Sequence, residues 1–245
     1  MSFPCRRGLR HSIADFRRLP PNRPTIRGEP AMQLVLYYAP QTCATVPYIT
    51  LTEAGAPFEV RNINTRGGEN HSAEFLKLNP KHKVPVLVID GEPLTENIAI
   101  QIWIHRRFPH ANLFPADPKQ EIQAISLMGW FGSGIHPHLT PNARPQNYCD
   151  LPGSEESVKR VANRLLNEDF RIAEERLAGR RWFFDHFTAC DAYFFWCFRR
   201  ALSFKLDLSA FRHCTAHFER MHERPSVQKV IAHEKQVMEA FAKAA

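Results

Sequence analysis

The amino-acid sequence predicts a small α/β domain followed by an all-α domain. Short apolar or alternating segments, typical of strands, occur between residues 33 and 94 and are interleaved with helical patterns. Beyond residue 119 the apolar residues recur at helical spacing. Between the two parts, residues 112–119 (NLFPADPK) contain two prolines and are predicted to form a linker. At 245 residues the chain is long enough for two hydrophobic cores.

The α/β part is expected to follow the order β-α-β-α-β-β-α. Its first strand, 33–38 (QLVLYY), is apolar, and its second, 58–63, alternates. The helix between them, 43–54, is followed by Gly55, a residue type that favours a helix end. Because a helix joins these two strands, we expect them to be parallel with a right-handed crossover. The remaining elements are a helix at 72–78, strands at 84–89 and 92–94, and a helix at 97–108.

The all-α part contains one helix with a strong start signal. Thr188 is expected to cap a backbone N–H of the first turn, while Asp191 reaches back to the N–H of Thr188. The residues that follow, 192–196, are apolar almost all round, which predicts a buried central helix. Helices are expected at about 118–143, 154–178, 188–204 and 226–243, with shorter turns near 209–222.

The net charge of +7 is concentrated at the N-terminus. Residues 1–31 hold seven Arg against Asp15 and Glu29, so this segment carries +5 and the rest of the chain +2. The segment is rich in proline and lacks a sustained apolar face, which predicts a disordered basic arm. A start at Met32 and a transit peptide are the alternatives. The expected organisation is the arm (1–31), an α/β domain (32–111), the linker (112–119) and a helical domain (120–245).

Charge and cysteine usage argue against several classes of protein. The basic excess lies outside the predicted domains, so nucleic-acid binding is not favoured. No apolar run approaches the roughly 18–20 residues that span a membrane. Six scattered cysteines form no C-x-x-C and no zinc-like spacing, so no metal site is predicted. With no apolar signal core, we expect a reducing, cytoplasmic setting.

One stretch of the α/β part suits the binding of a small extended peptide. The segment 83–91 (KVPVLVIDG) carries a strand, and Val84 should be extended because it precedes Pro85. An extended strand edge can pair with a peptide backbone. The polar residues 94–97 (LTEN) then open a helix, where N–H groups and the Glu96 carboxylate are available for charged groups of a ligand.

Four pieces of the chain, in this order, resemble the cytosolic glutathione S-transferase family over about residues 33–245. The pieces are YYAPQTCATVPYITL, LNPKHKVPVLVIDGEPLTENIAI, FTACDAYFFWCFRR and HFERMHERPSVQKV. The resemblance implies a thioredoxin-like N-terminal domain and an all-α C-terminal domain. It also implies glutathione as cosubstrate and a homodimer.

Cys43 narrows the resemblance to the bacterial beta class, whose members carry a cysteine three residues after the proline of the first strand-to-helix turn. The resemblance implies that Cys43 is catalytic. A position near a helix N-terminus would also stabilise its thiolate and lower its pKa. The alternative is a small residue that packs the turn. Two positions depart from the class pattern. The class commonly has Ser immediately after the cysteine, where this chain has Ala44, and its polar residue before the Val-Pro pair is here a cation, Lys83.

The resemblance also implies how glutathione would be bound. Val84 and Pro85 would form a Val–cis-Pro pair whose backbone pairs with the cysteinyl part of the tripeptide. Glu96 would accept from the α-ammonium group, and the N–H of Asn97 would bind the γ-glutamyl carboxylate. Lys83 would meet the glycine carboxylate. Alternatively, Glu96 and Asn97 serve only the start of the helix, Glu96 as an acidic residue of the first turn and Asn97 as a cap.

The resemblance also implies that His136, in the first helix of the second domain, faces the thiol as a second catalytic residue. The alternative is a structural or solvated histidine.

The expected function is conjugation of glutathione to small electrophiles, with thiol–disulfide exchange through Cys43 as an additional activity on a disulfide substrate. The alternative is a non-catalytic glutathione-transferase-like protein that binds a ligand or a partner. Expected partners are glutathione, the small substrate and a second copy of the chain.

Overall fold

The structure is a computed structural model that describes residues 32–244. The predicted basic arm, 1–31, lies outside the described residues. From Met32 onward the chain forms one compact unit. Within the part of the chain that the structure describes, no helix combines the length and apolar character needed to cross a membrane.

Four strands form one mixed sheet in the order β2-β1-β3-β4. Leu36, at the centre of the sheet, lies opposite Val60 of β2 and Leu87 of β3, and both leucines are fully buried. The pairing of β1 with β2 is parallel, as predicted, whereas β3 is antiparallel to β1 and to β4. The strands are β1 (Leu34–Tyr38), β2 (Glu59–Asn62), β3 (Val86–Ile89) and β4 (Glu92–Thr95).

Nine α-helices are formed within residues 32–244, and the predicted order β-α-β-α-β-β-α is confirmed for the first part. The helices are α1 (Thr45–Glu53), α2 (Ala73–Leu78), α3 (Asn97–Arg107), α4 (Pro118–Trp130), α5 (His136–Ala143), α6 (Glu155–Leu177), α7 (Ala189–Ser203), α8 (Arg212–His222) and α9 (Pro225–Ala244). α1 packs against α3 beside the sheet and against α7 and α9 among the later helices. The β1–α1 turn is thereby held between the sheet and the helical part.

The central position predicted for the helix after Thr188 is confirmed. All residues from Ala189 to Phe198 of α7 are buried. Both halves of the capping box are present, and the Asp191 carboxylate accepts from the N–H of Thr188 at 2.7 Å. The Thr188 hydroxyl also donates to this carboxylate, at 3.0 Å. α7 therefore begins at a defined residue and carries aromatic side chains into the core.

Two helical predictions need correction. The single helix expected at 118–143 is α4 and α5 joined by a π-helical turn, Phe131–Ile135. Gly134 lies in this turn, where an added Cβ would lie 2.7 Å from the Trp130 ring and would require the ring to move. Such π-turns are frequent at functional sites. The short turns expected near 209–222 are instead a full helix, α8.

Candidate active site around Cys43

Cys43 lies in the turn between β1 and α1, two residues before the helix begins at Thr45. The helix expected at 43–54 therefore starts later than the sequence predicts. Thr42 organises the turn, since its Oγ1 accepts from the N–H of Ala44 at 3.3 Å. Cys43 itself is buried, with 8% of its surface exposed.

Three segments that are distant in sequence meet at Cys43. The thiol Sγ donates to the carbonyl oxygen of Val84 at 3.6 Å. The side-chain Nδ2 of Asn97, the first residue of α3, donates to the carbonyl oxygen of Cys43 at 2.8 Å. Gln101, one turn further along α3, donates to Asn97 Oδ1 at 3.3 Å. The structure therefore brings Cys43, Val84 and Asn97 together.

The peptide bond between Val84 and Pro85 is cis. The strand expected at 84–89 begins at Val86, so Val84 lies outside the strand pairing. Its N–H makes no hydrogen bond to another backbone group within residues 32–244. Lys83 is exposed, and its carbonyl oxygen accepts from Asn79 Nδ2 at 2.7 Å. The backbone on both sides of Val84 is thus held in place while its N–H stays available.

Glu96 occupies the junction of β4 and α3 with a φ of 69°. Positive φ is uncommon for residues other than glycine and is found at functional sites. The Glu96 side chain is 69% exposed and pairs with the Lys81 ammonium group, which also donates to Thr95 Oγ1 at 3.0 Å. An ion pair this exposed contributes little to stability. The Glu96 carboxylate can therefore release Lys81 and bind another ammonium group with little loss of free energy.

The electrostatics of Cys43 differ from the expectation. Burial raises the pKa of the Cys43 thiol to about 12. The Asn97 contact and the charge of Lys83 act in the opposite direction, but they do not offset the loss of solvation. The expected lowering of this pKa is wrong for this structure, because the thiol is buried and precedes the start of α1. Near neutral pH Cys43 is a protonated hydrogen-bond donor.

His136 is the first residue of α5 and is half-buried. Its Nδ1 lies 3.4 Å from the hydroxyl of Tyr193, and its ring packs edge-on against Trp196 at 4.5 Å between centroids. Burial, together with the charges of Lys83 and Arg200, lowers the pKa of His136 to about 4. The imidazole is neutral at pH 7. Lys83 is therefore close enough to His136 for its charge to affect the imidazole.

Sequence reasoning missed one face of α7. Tyr193, Trp196 and Arg200 follow one another at a spacing of three and four residues, which places them on one side of the helix. Trp196 Nε1 donates to the carbonyl oxygen of Gln41 at 3.3 Å, and Arg200 donates to Gln41 Oε1 at 3.4 Å. The sequence signal that could have revealed this face is the polar group at the end of each of these side chains, in a helix that is otherwise apolar. This face links His136 to the Cys43 turn.

The turn is anchored from behind by Glu234 of α9, which is 3% exposed. Its carboxylate accepts from the N–H of Gln41 at 2.8 Å, from the Tyr38 hydroxyl at 3.0 Å and from Arg199 at 2.6 Å. Burial raises the pKa of Glu234, but the Arg199 bond and charge outweigh this effect, so the pKa lies below its ordinary value of 4.5. Burial and the Glu234 charge raise the pKa of Tyr38. Its hydroxyl is therefore a donor to Glu234.

The structure has two surface cavities in the described part of the chain, of which one borders Gln41 and Glu234. One of about 770 Å³ is bordered by Arg176, Arg180 and Arg181, and one of about 470 Å³ is bordered by Gln41 and α9. Neither is lined by Cys43 or His136, so we define the candidate site by its side-chain contacts. Within residues 32–244 no group of three or more His, Cys, Asp or Glu side chains is arranged to hold a metal ion.

Comparison with known proteins shows the family to which the chain belongs. Residues 32–106 match the model of the glutathione S-transferase N-terminal domain, and residues 128–225 match that of its C-terminal domain. The chain belongs to the glutathione S-transferase family. It is 30% identical over 203 residues to the glutathione S-transferase GstA of Escherichia coli O157:H7, a match that covers 81% of this chain and 98% of GstA.

Solved structures show the same fold. A sphingomonad glutathione S-transferase complexed with glutathione is 26% identical with a TM-score of 0.72, and the match covers 82% of this chain and 98% of the other. A bacterial beta class glutathione S-transferase from Sphingomonas chungbukensis is 29% identical with a TM-score of 0.72 and the same coverage. The expected fold, a thioredoxin-like domain followed by an all-α domain, is confirmed.

Proposed function

We propose that this chain is a beta-class glutathione transferase that joins the glutathione sulfur to a small electrophile. The observation that supports this most strongly is the meeting of Cys43, Val84 and the start of α3 at one place. The alternative is a non-catalytic protein of the same fold that binds a ligand or a partner. We further propose that the enzyme acts as a cytoplasmic homodimer, with an α/β domain at 32–111, a linker at 112–119 and a helical domain at 120–245.

The groups around Cys43 fit the chemistry of glutathione. The exposed Glu96 carboxylate would accept from the α-ammonium group in place of Lys81. The N–H groups that open α3 at Asn97 would bind the γ-glutamyl carboxylate, since the first helical N–H groups have no partner within the helix. The free N–H of Val84, beside Pro85, would pair with the cysteinyl backbone. The exposed Lys83 would meet the glycine carboxylate.

The pKa of Cys43 favours one role for its thiol. A thiol with a pKa of about 12 is protonated at pH 7, so it would donate a hydrogen bond to the glutathione sulfur. The glutathione thiolate would then be the nucleophile. The cations Lys83 and Arg200 would favour this thiolate, and neutral His136 would serve as a further hydrogen-bonding group. Thiol–disulfide exchange remains a second candidate because Cys43 is adjacent to the proposed sulfur position.

The test of the proposal combines turnover with binding. We expect the full chain to conjugate glutathione to 1-chloro-2,4-dinitrobenzene, and Cys43→Ala to retain part of this activity. Activity on hydroxyethyl disulfide should disappear in Cys43→Ala. Binding of glutathione without turnover of either compound would support the non-catalytic alternative.

A matched pair of variants tests the glutathione site. Glu96→Gln should weaken glutathione binding by about 10–150-fold, because it removes a charge-assisted hydrogen bond. Glu92→Gln removes an exposed carboxylate at the start of β4 and should leave the affinity as it is. Calorimetric titration with glutathione measures both. Equal affinities in the two variants would exclude Glu96 from the site.

A further inference from the structure

Arg200 is a half-buried cation beside the candidate site that makes little use of its hydrogen-bonding groups. A guanidinium carries five N–H donors. Within residues 32–244 Arg200 makes two long contacts, each of 3.4 Å, to Gln41 Oε1 and Ser203 Oγ. Its guanidinium also stacks over the Phe204 ring at 4.4 Å. These contacts orient the guanidinium but leave most of its donors unused.

The neighbouring residue shows what a fully paired arginine looks like in the same helix. Arg199 contacts both oxygens of the buried Glu234, at 2.6 and 3.3 Å. Arg200 forms no ion pair with a carboxylate of the described chain. Burial lowers the pKa of Arg200, and so does the nearby charge of Arg66. The charge of Glu234 acts in the opposite direction, but that carboxylate is bonded to Arg199. Arg200 is thus a cation that has lost part of its solvation and makes no direct ion pair within residues 32–244.

The position of Arg200 connects it to the reacting region. It shares one face of α7 with Tyr193 and Trp196, which contact His136, and it contacts Gln41, two residues before Cys43. Its charge contributes to the lowered pKa of His136. A guanidinium in this position favours planar, bidentate binding of a carboxylate.

We propose that the electrophile accepted by this enzyme carries a carboxylate, and that Arg200 binds that carboxylate beside His136 and Trp196. The inference rests on the proposed transferase function and names its substrate class. In the simplest reaction, the glutathione thiolate forms a carbon–sulfur bond with the electrophilic carbon. A halide leaves that carbon with its electron pair, and the thiol proton passes to solvent. The acceptor carboxylate is not changed and provides only binding and orientation.

The experiment uses two acceptors that differ in charge. 4-Chloro-3,5-dinitrobenzoate and its methyl ester react at the same carbon and lose the same chloride. We measure the ratio of their kcat/KM values for the parent, Arg200→Gln, Arg200→Lys and Arg212→Gln. Arg212 is an exposed arginine at the start of α8, so its variant matches the change in net charge.

We expect the acid-to-ester ratio to fall by about 10–100-fold in Arg200→Gln. It should recover in part in Arg200→Lys, which keeps the charge but loses the bidentate geometry. It should match the parent in Arg212→Gln. A ratio in Arg200→Gln within about twofold of the parent would overturn the inference. An increase in the KM for glutathione with the ratio unchanged would assign Arg200 to the glutathione site and would overturn it equally.

A binding arm separates this inference from the proposed function. Unreactive 3,5-dinitrobenzoate and its methyl ester are titrated into each variant in the presence of S-methylglutathione. Tighter binding of the acid than of the ester, lost in Arg200→Gln, supports the inference even if no acceptor is turned over. Failure of turnover counts against the transferase function, whereas equal binding of acid and ester counts against the role of Arg200.

Discussion

Two buried carboxylates, Asp191 and Glu234, hold different parts of this molecule in place. Asp191 lies inside the helical part, where it accepts from the N–H of Phe183 at 3.1 Å and from His217 Nε2 at 2.9 Å, besides its bonds to Thr188. Glu234 lies where α9 and α7 meet the β1–α1 turn. Asp191 and His217 are both completely buried, whereas the side chain of Arg199, the partner of Glu234, is 26% exposed.

Asp191 and Glu234 are expected to differ in role: Asp191 stabilises the fold, whereas Glu234 also positions the candidate site. Every donor to Asp191 belongs to the segment around the start of α7 or to α8, so its loss should loosen the helical core. Two of the donors to Glu234 belong to Tyr38 and to Gln41, which lie close to Cys43 in sequence. Loss of Glu234 should therefore displace the Cys43 turn as well as weaken the fold.

The largest effect is expected for Asp191→Asn. It leaves buried donors of Phe183 and His217 without their charged acceptor, which costs about 3–5 kcal/mol of unfolding free energy. Urea unfolding followed by circular dichroism measures this loss. Asp150→Asn, at an exposed loop position, is the control and should unfold like the parent. A loss below about 1 kcal/mol would show that Asp191 is not the main support of the helical core.

Glu234→Gln should cost less stability, about 1.5–3 kcal/mol, because its partner Arg199 is partly solvated. It should, however, weaken glutathione binding, which Thr188→Ala at the start of α7 should not. Calorimetry at a temperature where both variants are folded provides this measurement. If both variants bind glutathione as the parent does, Glu234 supports the fold without positioning the turn.

The contribution of Glu234 should also depend on pH with a known sign. Its pKa in the folded protein is below the ordinary value of 4.5, so the native state favours the charged carboxylate. The stabilisation is then fully present above that value and is lost as pH falls through the lower, folded pKa. We expect the stability difference between the parent and Glu234→Gln to be constant at neutral pH and to shrink on acidification. A difference that grows towards acid pH would contradict the lowered pKa.

The smallest effect is expected for Thr188→Ala. Asp191 keeps its bonds to the Thr188 N–H, to Phe183 and to His217, so only the hydroxyl contribution to the cap is lost. The expected cost is about 0.5–2 kcal/mol, measured by the same unfolding experiment. A loss as large as that of Asp191→Asn would mean that the hydroxyl, rather than the carboxylate, determines the start of α7.

Much of the Cys43 region followed from local sequence. The Val-Pro step, the polar helix start at Glu96 and the turn that carries Cys43 each depend on a few adjacent residues, and the structure has all of them. The cap of α7 is local in the same sense, since Thr188 and Asp191 are three residues apart. The sequence prediction failed at the π-turn Phe131–Ile135, which divides the single helix expected at 118–143 into α4 and α5.

The sequence by itself determined the order of strands and helices in the α/β part, the buried character of α7 and the residue types around Cys43, because these depend on periodicity and short-range hydrogen bonds. The tertiary structure alone decided the charge state of Cys43, since its pKa depends on how completely several elements exclude water from the thiol. It also decided that Arg199 forms an ion pair with Glu234 while Arg200 forms none within residues 32–244. Adjacent residues on a helix point about 100° apart, and only the position of Glu234 in the folded chain determines that Arg199 is the one that bonds to it.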